Sequence, residues 1–494
     1  MSDSVTEKHP PVLAYLFFAE AWERFSFYGM RALLVLYLTK SLMFGDKAAY
    51  AIYGSYTALV YTTPVIGGLL ADRLLGFRKA VLLGGVLMAL GHFAMAVQQL
   101  QVFYLALGLL ICGNGFFKPN ISSIVGRLYG PDDPRRDSAF TIFYMGINLG
   151  GLLSPLACGY LGERFGWHWG FGLAGVGMLL GLVVFWRAQP LLSGIADPPP
   201  RAAGAASGFA GLSGESWVYL GTLLGVAAAW QLVQHGAIVG TLLIVFGATV
   251  LCGLLVYLFR LPDKVARDRL AVALVLTLVS VVFWSFFEQA GTSMSLFTDR
   301  NVDRTLLGSV IPASQFQSVN SLFILLFAPV FSLLWLYLAR RKHEPNTPLK
   351  FGLGILQLGL GFVALYLGAV TSRATGVVPV FWLVLGYFLH STGELCLSPI
   401  GLSMITKLSP KGITGIMMGT WFLASAFAQY AASLIAQLTG VKDGGSVAGA
   451  LPNPSETVMV YGSVFGSIGW VALGVGVLVV LVSPLIARRM HGVH

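Results

Sequence analysis

The chain has 494 residues, 56% of them hydrophobic and 11% charged, with a formal net charge of +10 and a mean hydropathy of +0.77. Soluble domains carry about a quarter charged residues, so a water-soluble globule could not hide this much apolar surface. A soluble enzyme, a secreted disulfide scaffold, a disordered chain and a fibre are excluded; apolar runs of about 18 residues or more, split by short charged breaks, mark an all-α polytopic membrane protein.

The N-terminus, MSDSVTEKHPP, carries acids and a proline pair instead of the basic region and cleavage site of a signal peptide, so the first span is expected to be retained. Spans are predicted at 13–40, 48–72, 79–98, 102–128, 138–163, 168–187, 216–234, 237–259, 270–297, 313–339, 350–372, 377–406, 412–438 and 459–487, which makes 14. Residues 188–215 form a Pro/Gly/Ala-rich linker of low complexity. The span pair after it has no ionisable residue between Glu215 and Arg260 except His235, and reads as a peripheral hairpin packing against one side. The expected organisation is a six-helix bundle over 1–187, linker and hairpin over 188–269, and a second six-helix bundle over 270–494. Two six-helix halves joined by a long linker is the layout of the major facilitator fold.

Basic residues orient the chain. With both termini in the cytoplasm, 21 of the 31 lysines and arginines fall in inside segments and 7 in outside loops, a strong positive-inside bias. The other three, Arg24, Arg31 and Lys118, lie within spans. The net positive charge then faces anionic lipid, so no nucleic-acid partner is expected. Short loops and the extra hairpin suit a bacterial inner membrane, and a monomer is expected. Cys112, Cys158, Cys252 and Cys396 each sit in an apolar run without C-x-x-C spacing, so neither disulfide nor metal site is predicted, and no cofactor.

Charges deep in a bilayer are costly and mark function. Here they are Glu20, Glu23, Arg24 and Arg31 in the first span, Lys118 in the fourth, Glu288 in the ninth and Glu394 in the twelfth. On the first span, Glu20, Glu23, Arg24, Phe27, Tyr28 and Arg31 share one face, with Glu20 and Arg24 in the favourable acid-before-base i, i+4 order. Counted by halves, the N-terminal set sums to +1 and the C-terminal set to −2. A cleft so polarised suits a zwitterion, its carboxylate toward the first half and its ammonium toward the second. Carboxyls beside a cation also invite proton coupling. ATP is not the driver, since no G-x-x-x-x-G-K-[ST] loop exists.

These residues resemble the proton-coupled oligopeptide transporters of the major facilitator superfamily. The first span carries E-x-x-E-R-F as Glu20, Glu23, Arg24 and Phe25, followed by Tyr28 and Gly29. The fifth carries F-Y-x-x-I-N-x-G as Phe143, Tyr144, Ile147, Asn148 and Gly150. A loop motif runs from Gly68 through Asp72, Arg73 and Gly76 to Arg78 and Lys79, and the likeness extends through GNGFFKPN, FWSFFEQ and GELCLSPIGLS around Lys118, Glu288 and Glu394. The 6+2+6 layout matches bacterial members.

The resemblance implies a symporter that imports di- and tripeptides with protons by alternating access, not an enzyme. Glu20, Glu23, Arg24 and Glu288 would couple protons. Arg31 and Lys118 would receive the peptide carboxylate, Glu394 its amino terminus, and Asn148 and Asn320 its backbone. Glu288 would pair with Arg31 to close the outer side, and Lys118 with Glu394 the inner. Tyr28, Tyr61, Trp284 and Trp421 would line side-chain pockets, with Ser398 of the GELCLSPIGLS motif also at the substrate site. Phe27 stands where the family often has tyrosine, which should tune affinity or preference, and it is left out of the site. Two extended residues span about 7 Å and three about 10 Å, so fixed charged walls favour short peptides.

His92 and His390 are expected to be packing residues, Asp72 with Arg73, Arg78 and Lys79 a helix latch, and Asn114 and Asn120 satisfiers of backbone around Pro119. Rival readings are the same fold carrying nitrate or a drug-like molecule, and a transport-dead receptor. The first has no use for Glu394; the second would usually carry an appended signalling domain. No H-E-x-x-H or G-x-S-x-G motif supports a membrane enzyme.

Overall fold

A computed structural model describes residues 8–130, 133–197, 213–410, 412–440 and 453–493. Arg201, Lys411 and Lys442, used above to orient the chain, and linker residues 198–212 lie outside the described residues.

The described residues form fourteen helices of 19 residues or more and one short one. They are α1 (Val12–Lys40), α2 (Asp46–Leu70), α3 (Phe77–Met95), α4 (Leu100–Arg127), α5 (Arg135–Phe165), α6 (Trp167–Ala188), α7 (Gly214–Gln234), α8 (Gly236–Arg260), α9 (Lys264–Phe287), the short α10 (Ser293–Asn301), α11 (Ser318–Arg340), α12 (Thr347–Thr371), α13 (Val380–Leu408), α14 (Thr414–Gln437) and α15 (Pro454–Arg488). Among the described residues, twelve stretches are long and apolar enough to cross a membrane. The other two long helices are α1, with its five charged residues, and α14, rich in Ser, Thr, Ala and Gln.

Two predicted spans are less regular than the apolar pattern suggests. α2 runs on into a five-residue π-helical turn, Ala71–Leu75. The ninth span is interrupted: α9 gives way to a 3₁₀ turn, Glu288–Gly291, before α10 begins. Hydropathy reports how apolar a run is and not whether its hydrogen bonds stay in i→i−4 register, so the break is invisible to it.

The chain divides into two compact units, one of Met1–Met30 and Thr62–Gln231, the other of Arg31–Tyr61 and Leu232–His494. In the first, α3 packs on α4 and α6, and α5 on α6. Backbones nearly touch where α3 crosses α4: a Cβ on Gly84 would lie 2.6 Å from the Gly113 carbonyl oxygen, and one on Gly113 would lie 2.7 Å from that of Gly84. Such small-residue crossings let membrane helices gain dispersion contacts that lipid cannot replace. In the second unit α12 packs on α15 and α13, α14 on α9, and α11 on α13.

The extra pair is divided between the units, α7 falling in the first as far as Gln231 and α8 in the second. α7 lies against α4 at Gly108, near Val226 and Trp230. α8 instead contributes Val239 and Leu243 to a cluster with Ala58, Leu423 and Ala426 in the second unit. A helix apolar all round can bury whichever stripe is offered a partner, so composition did not predict which.

Candidate functional site

In the first unit, helical spacing brings Glu20, Glu23 and Arg24 to one side of α1. Arg24 Nε lies 2.9 Å from Glu20 Oε1 and 2.5 Å from Glu23 Oε2, with all three side chains at most 3% exposed. Asn114 on α4 donates from Nδ2 to Glu23 Oε1 at 3.3 Å. Lys118, one turn further along α4, is within electrostatic reach of both carboxylates. The four formal charges cancel, as burial demands, since an uncompensated charge costs several kcal/mol, of order 3–5.

Phe27 belongs with this cluster. Its buried ring sits 5.6 Å from the Arg24 guanidinium carbon, and Tyr28 packs edge-on against it with centroids 5.4 Å apart. Asn148, on α5, is buried and donates from Nδ2 to the Tyr144 carbonyl of its own helix at 3.0 Å.

In the second unit, Arg31 and Glu288 form a buried ion pair, and Arg31 Nε donates to the Tyr53 hydroxyl at 2.6 Å. The 3₁₀ turn makes the room: a Cβ on Gly291 would collide with the Tyr53 hydroxyl and come within 3.4 Å of Arg31 Nε. Asn320 Nδ2 donates to Glu394 Oε2 at 3.1 Å and to Ser391 Oγ at 3.0 Å. Because Arg31 packs with Glu288, the intramembrane charges sum to zero in the first unit and −1 in the second, in place of the +1 and −2 counted by sequence halves.

Tyr61, Trp284, Glu288, Ser398 and Trp421 line a single cavity of about 140 Å³. Ser425 and Gln429 complete its wall, and neither was expected from the sequence. The readable signal was Trp421, Ser425 and Gln429 at i, i+4, i+8 on α14, a stripe on one helix face. Tyr53 was missed likewise, although Tyr50, Tyr53 and Tyr56 recur every three residues and all are buried. Asn320 and Glu394 are not among the residues lining the cavity.

The lesser expectations divide. His390 stacks at a tilt on Phe362, centroids 4.5 Å apart, as a packing residue does. Asn120 bonds to the Phe116 and Gly67 carbonyls, as expected, but Asn114 reaches Glu23 and not backbone. Around the α2–α3 turn, Asp72 lies 3.5 Å from Arg127, Arg78 binds Asp197 at 2.6 Å and Gln189 at 2.8 Å, and Lys79 binds Glu215 at 2.7 Å.

Fourteen long helices with buried ion pairs on the first and polar residues converging on a cavity define a membrane transporter of the major facilitator fold. The chain belongs to the POT family, whose profile matches residues 78–451. It is 40% identical to the uncharacterized transporter YclF of Bacillus subtilis (strain 168), over 98% of this chain and 96% of that one. It is 35% identical to dipeptide and tripeptide permease A of Erwinia pyrifoliae, over 97% and 95%. A crystal structure of peptide transporter POT in complex with sulfate superposes with a TM-score of 0.82 at 37% identity, covering 98% of this chain and 96% of that one. Members of this family are transporters and not enzymes.

Proposed function

We propose that this chain is a proton-driven symporter that imports di- and tripeptides by alternating access, as a monomer in a bacterial inner membrane with both termini cytoplasmic. The observation that carries the reading is the buried Glu20–Arg24–Glu23 triad beside Asn114 and Lys118. Three ionised groups in an apolar bundle are stable only while each charge is matched, so adding one proton changes which partner Arg24 holds.

In this reading residues 1–187 and 270–494 are the two rocking halves, joined by the linker and hairpin of 188–269. A proton reaching Glu20, Glu23 or Glu288 loosens an ion pair, and release of Arg31 from Glu288 opens the outer side. Arg31 and Lys118 then take the peptide carboxylate, while Glu394, steadied by Asn320, takes the ammonium. Asn148 and Asn320 bond to the backbone. Tyr28 and the Tyr61, Trp284, Ser398 and Trp421 cavity receive side chains, and pairing of Lys118 with Glu394 closes the inner side afterwards. The drive is ample, at about 2.3 kcal/mol per charge per 100 mV and about 1.36 kcal/mol per pH unit.

The test is uptake of labelled di-alanine into liposomes holding only this protein. Concentrative uptake that needs an inward proton gradient, fails with a proton ionophore or a sodium gradient alone, and ignores free alanine supports the proposal. Folded protein that takes up no di-alanine under the proton gradient sinks it.

A further inference from the structure

Gln429 has no role in the reading above, and its surroundings are unusual for a buried glutamine. The residue is 4% exposed, and its Oε1 has no hydrogen-bond partner. Gln289 shows what a structural glutamine looks like in the same unit. Its Nε2 donates to the Ser285 and Ala432 carbonyls at 3.2 and 2.9 Å, and its Oε1 accepts from Ser293 at 2.6 Å. A buried carbonyl left without a donor is costly, and native interiors rarely tolerate one without reason.

The cavity supplies the reason. Gln429 shares it with three aromatic residues, Tyr61, Trp284 and Trp421. Two of the other polar residues of the wall are engaged, since Glu288 holds Arg31 and Ser425 donates to the Trp421 carbonyl at 3.1 Å, and Ser398 lines the cavity as well. Gln429 therefore brings an unpartnered amide oxygen to the wall of an aromatic cup. Its volume of about 140 Å³ is that of roughly four waters, enough for a small branched side chain.

We propose that Gln429 is a specificity-determining residue whose amide receives a hydroxyl on the peptide side chain, so that threonine is preferred to valine at this pocket. The inference rests on the peptide-transport reading. Threonine and valine have nearly the same shape, but only the hydroxyl can donate to Oε1 and accept from Nε2. With valine the carbonyl stays unpaired and any water that served it is displaced. Alanine leaves room for that water, which makes di-alanine the neutral reference.

The experiment measures inhibition of labelled di-alanine uptake by Ala-Thr against Ala-Val, and by Thr-Ala against Val-Ala. In the wild type the hydroxyl peptide of at least one pair is expected to compete about two- to tenfold better, the worth of one neutral hydrogen bond. Gln429→Leu is expected to erase or invert that ratio. Ratios are taken within each protein, so a general loss of transport cancels, and Gln429→Met serves as the second variant if the leucine protein folds poorly. Equal competition within both pairs in a wild type that carries di-alanine overturns the inference, as does a variant that keeps the wild-type ratio. A wild type that takes up no di-alanine is a different failure, because it sinks the transport reading itself.

Discussion

Gly291→Ala pits two effects of opposite sign against each other. Gly291 does not have a positive φ, so alanine can adopt its backbone conformation. On chain entropy alone the substitution should then stabilise the protein by about 0.4–1 kcal/mol. The added Cβ, however, would collide with the Tyr53 hydroxyl and stand 2.8 Å from Tyr53 Cζ. That hydroxyl accepts from Arg31, and a hydrogen bond to a charged group contributes about 1.5–3 kcal/mol. Displacing it should outweigh the entropic gain, for a net loss of about 1–2 kcal/mol. In a Tyr53→Leu background the obstruction is gone, and the same Gly291→Ala change should be neutral or stabilising. Thermal unfolding of the four proteins in detergent gives the cycle, with an expected coupling of at least about 1 kcal/mol. A raised midpoint in the single Gly291→Ala variant, or strict additivity with Tyr53→Leu, would refute the idea that the 3₁₀ turn exists to seat Tyr53 against Arg31.

The ion pairs away from the site should differ in worth according to burial. Asp46 and Arg300 make two contacts of 2.7 Å at 8% and 10% side-chain exposure, so Arg300→Ala should cost about 3–5 kcal/mol, and adding Asp46→Ala should recover part of it, read by thermal unfolding. Lys79, 45% exposed in its pair with Glu215, should change stability by no more than about 0.5 kcal/mol on truncation to alanine. In the α4–α5 loop, hydrogen bonds from the Arg135 side chain and backbone hold the Asp133 carboxyl down at about 2, below its ordinary 3.8. A depressed carboxylate contributes its stability above the unfolded value and loses it as pH falls through the folded one. Asp133 should therefore stay ionised throughout the pH range of transport, and Asp133→Asn should leave the pH profile of liposome uptake between about pH 5 and 8 unmoved; a shifted profile would overturn that assignment.

Much of the architecture was legible because a bilayer leaves few options: every backbone polar group must be satisfied within a helix, so the fourteen apolar runs correspond to the fourteen long helices. The intramembrane charges were equally visible, because each is an exception in a greasy run. Legibility failed where function depends on who meets whom. Arg31 belongs by sequence to the first half but pairs with Glu288, as the family resemblance implied and the count of charges by halves did not. Phe27 was set aside for lacking a hydroxyl, although its ring covers Arg24. Tyr53, Ser425 and Gln429 are ordinary residues whose interest arises only from the Arg31 contact and the cavity wall. Asn114 was read as a backbone satisfier because asparagine beside Pro119 has that common use, and its neighbour Asn120 does follow it.

Asn114 also decides how the proton-coupling role of Glu23 should be tested. An ionised carboxylate only accepts hydrogen bonds, whereas a protonated one also donates. Asn114 gives its Nδ2 to Glu23 Oε1, and its own Oδ1 is buried without a partner. Turned by half a rotation, the same amide would present that oxygen to a protonated Glu23, so either form can be held without moving a helix. Glutamine at position 23 mimics the protonated form: its Oε1 can accept from Arg24 while its Nε2 donates to Asn114 Oδ1. Glu23→Gln should therefore fold within about 1 kcal/mol of the wild type and still exchange peptide across liposomes with no gradient, yet fail to accumulate it on a proton gradient. Asn114→Leu removes both options and should lower stability by about 1–3 kcal/mol, with less of a penalty once Glu23 is already glutamine. Accumulation of peptide by Glu23→Gln at the wild-type level would show that the triad holds the helices and does not carry the proton.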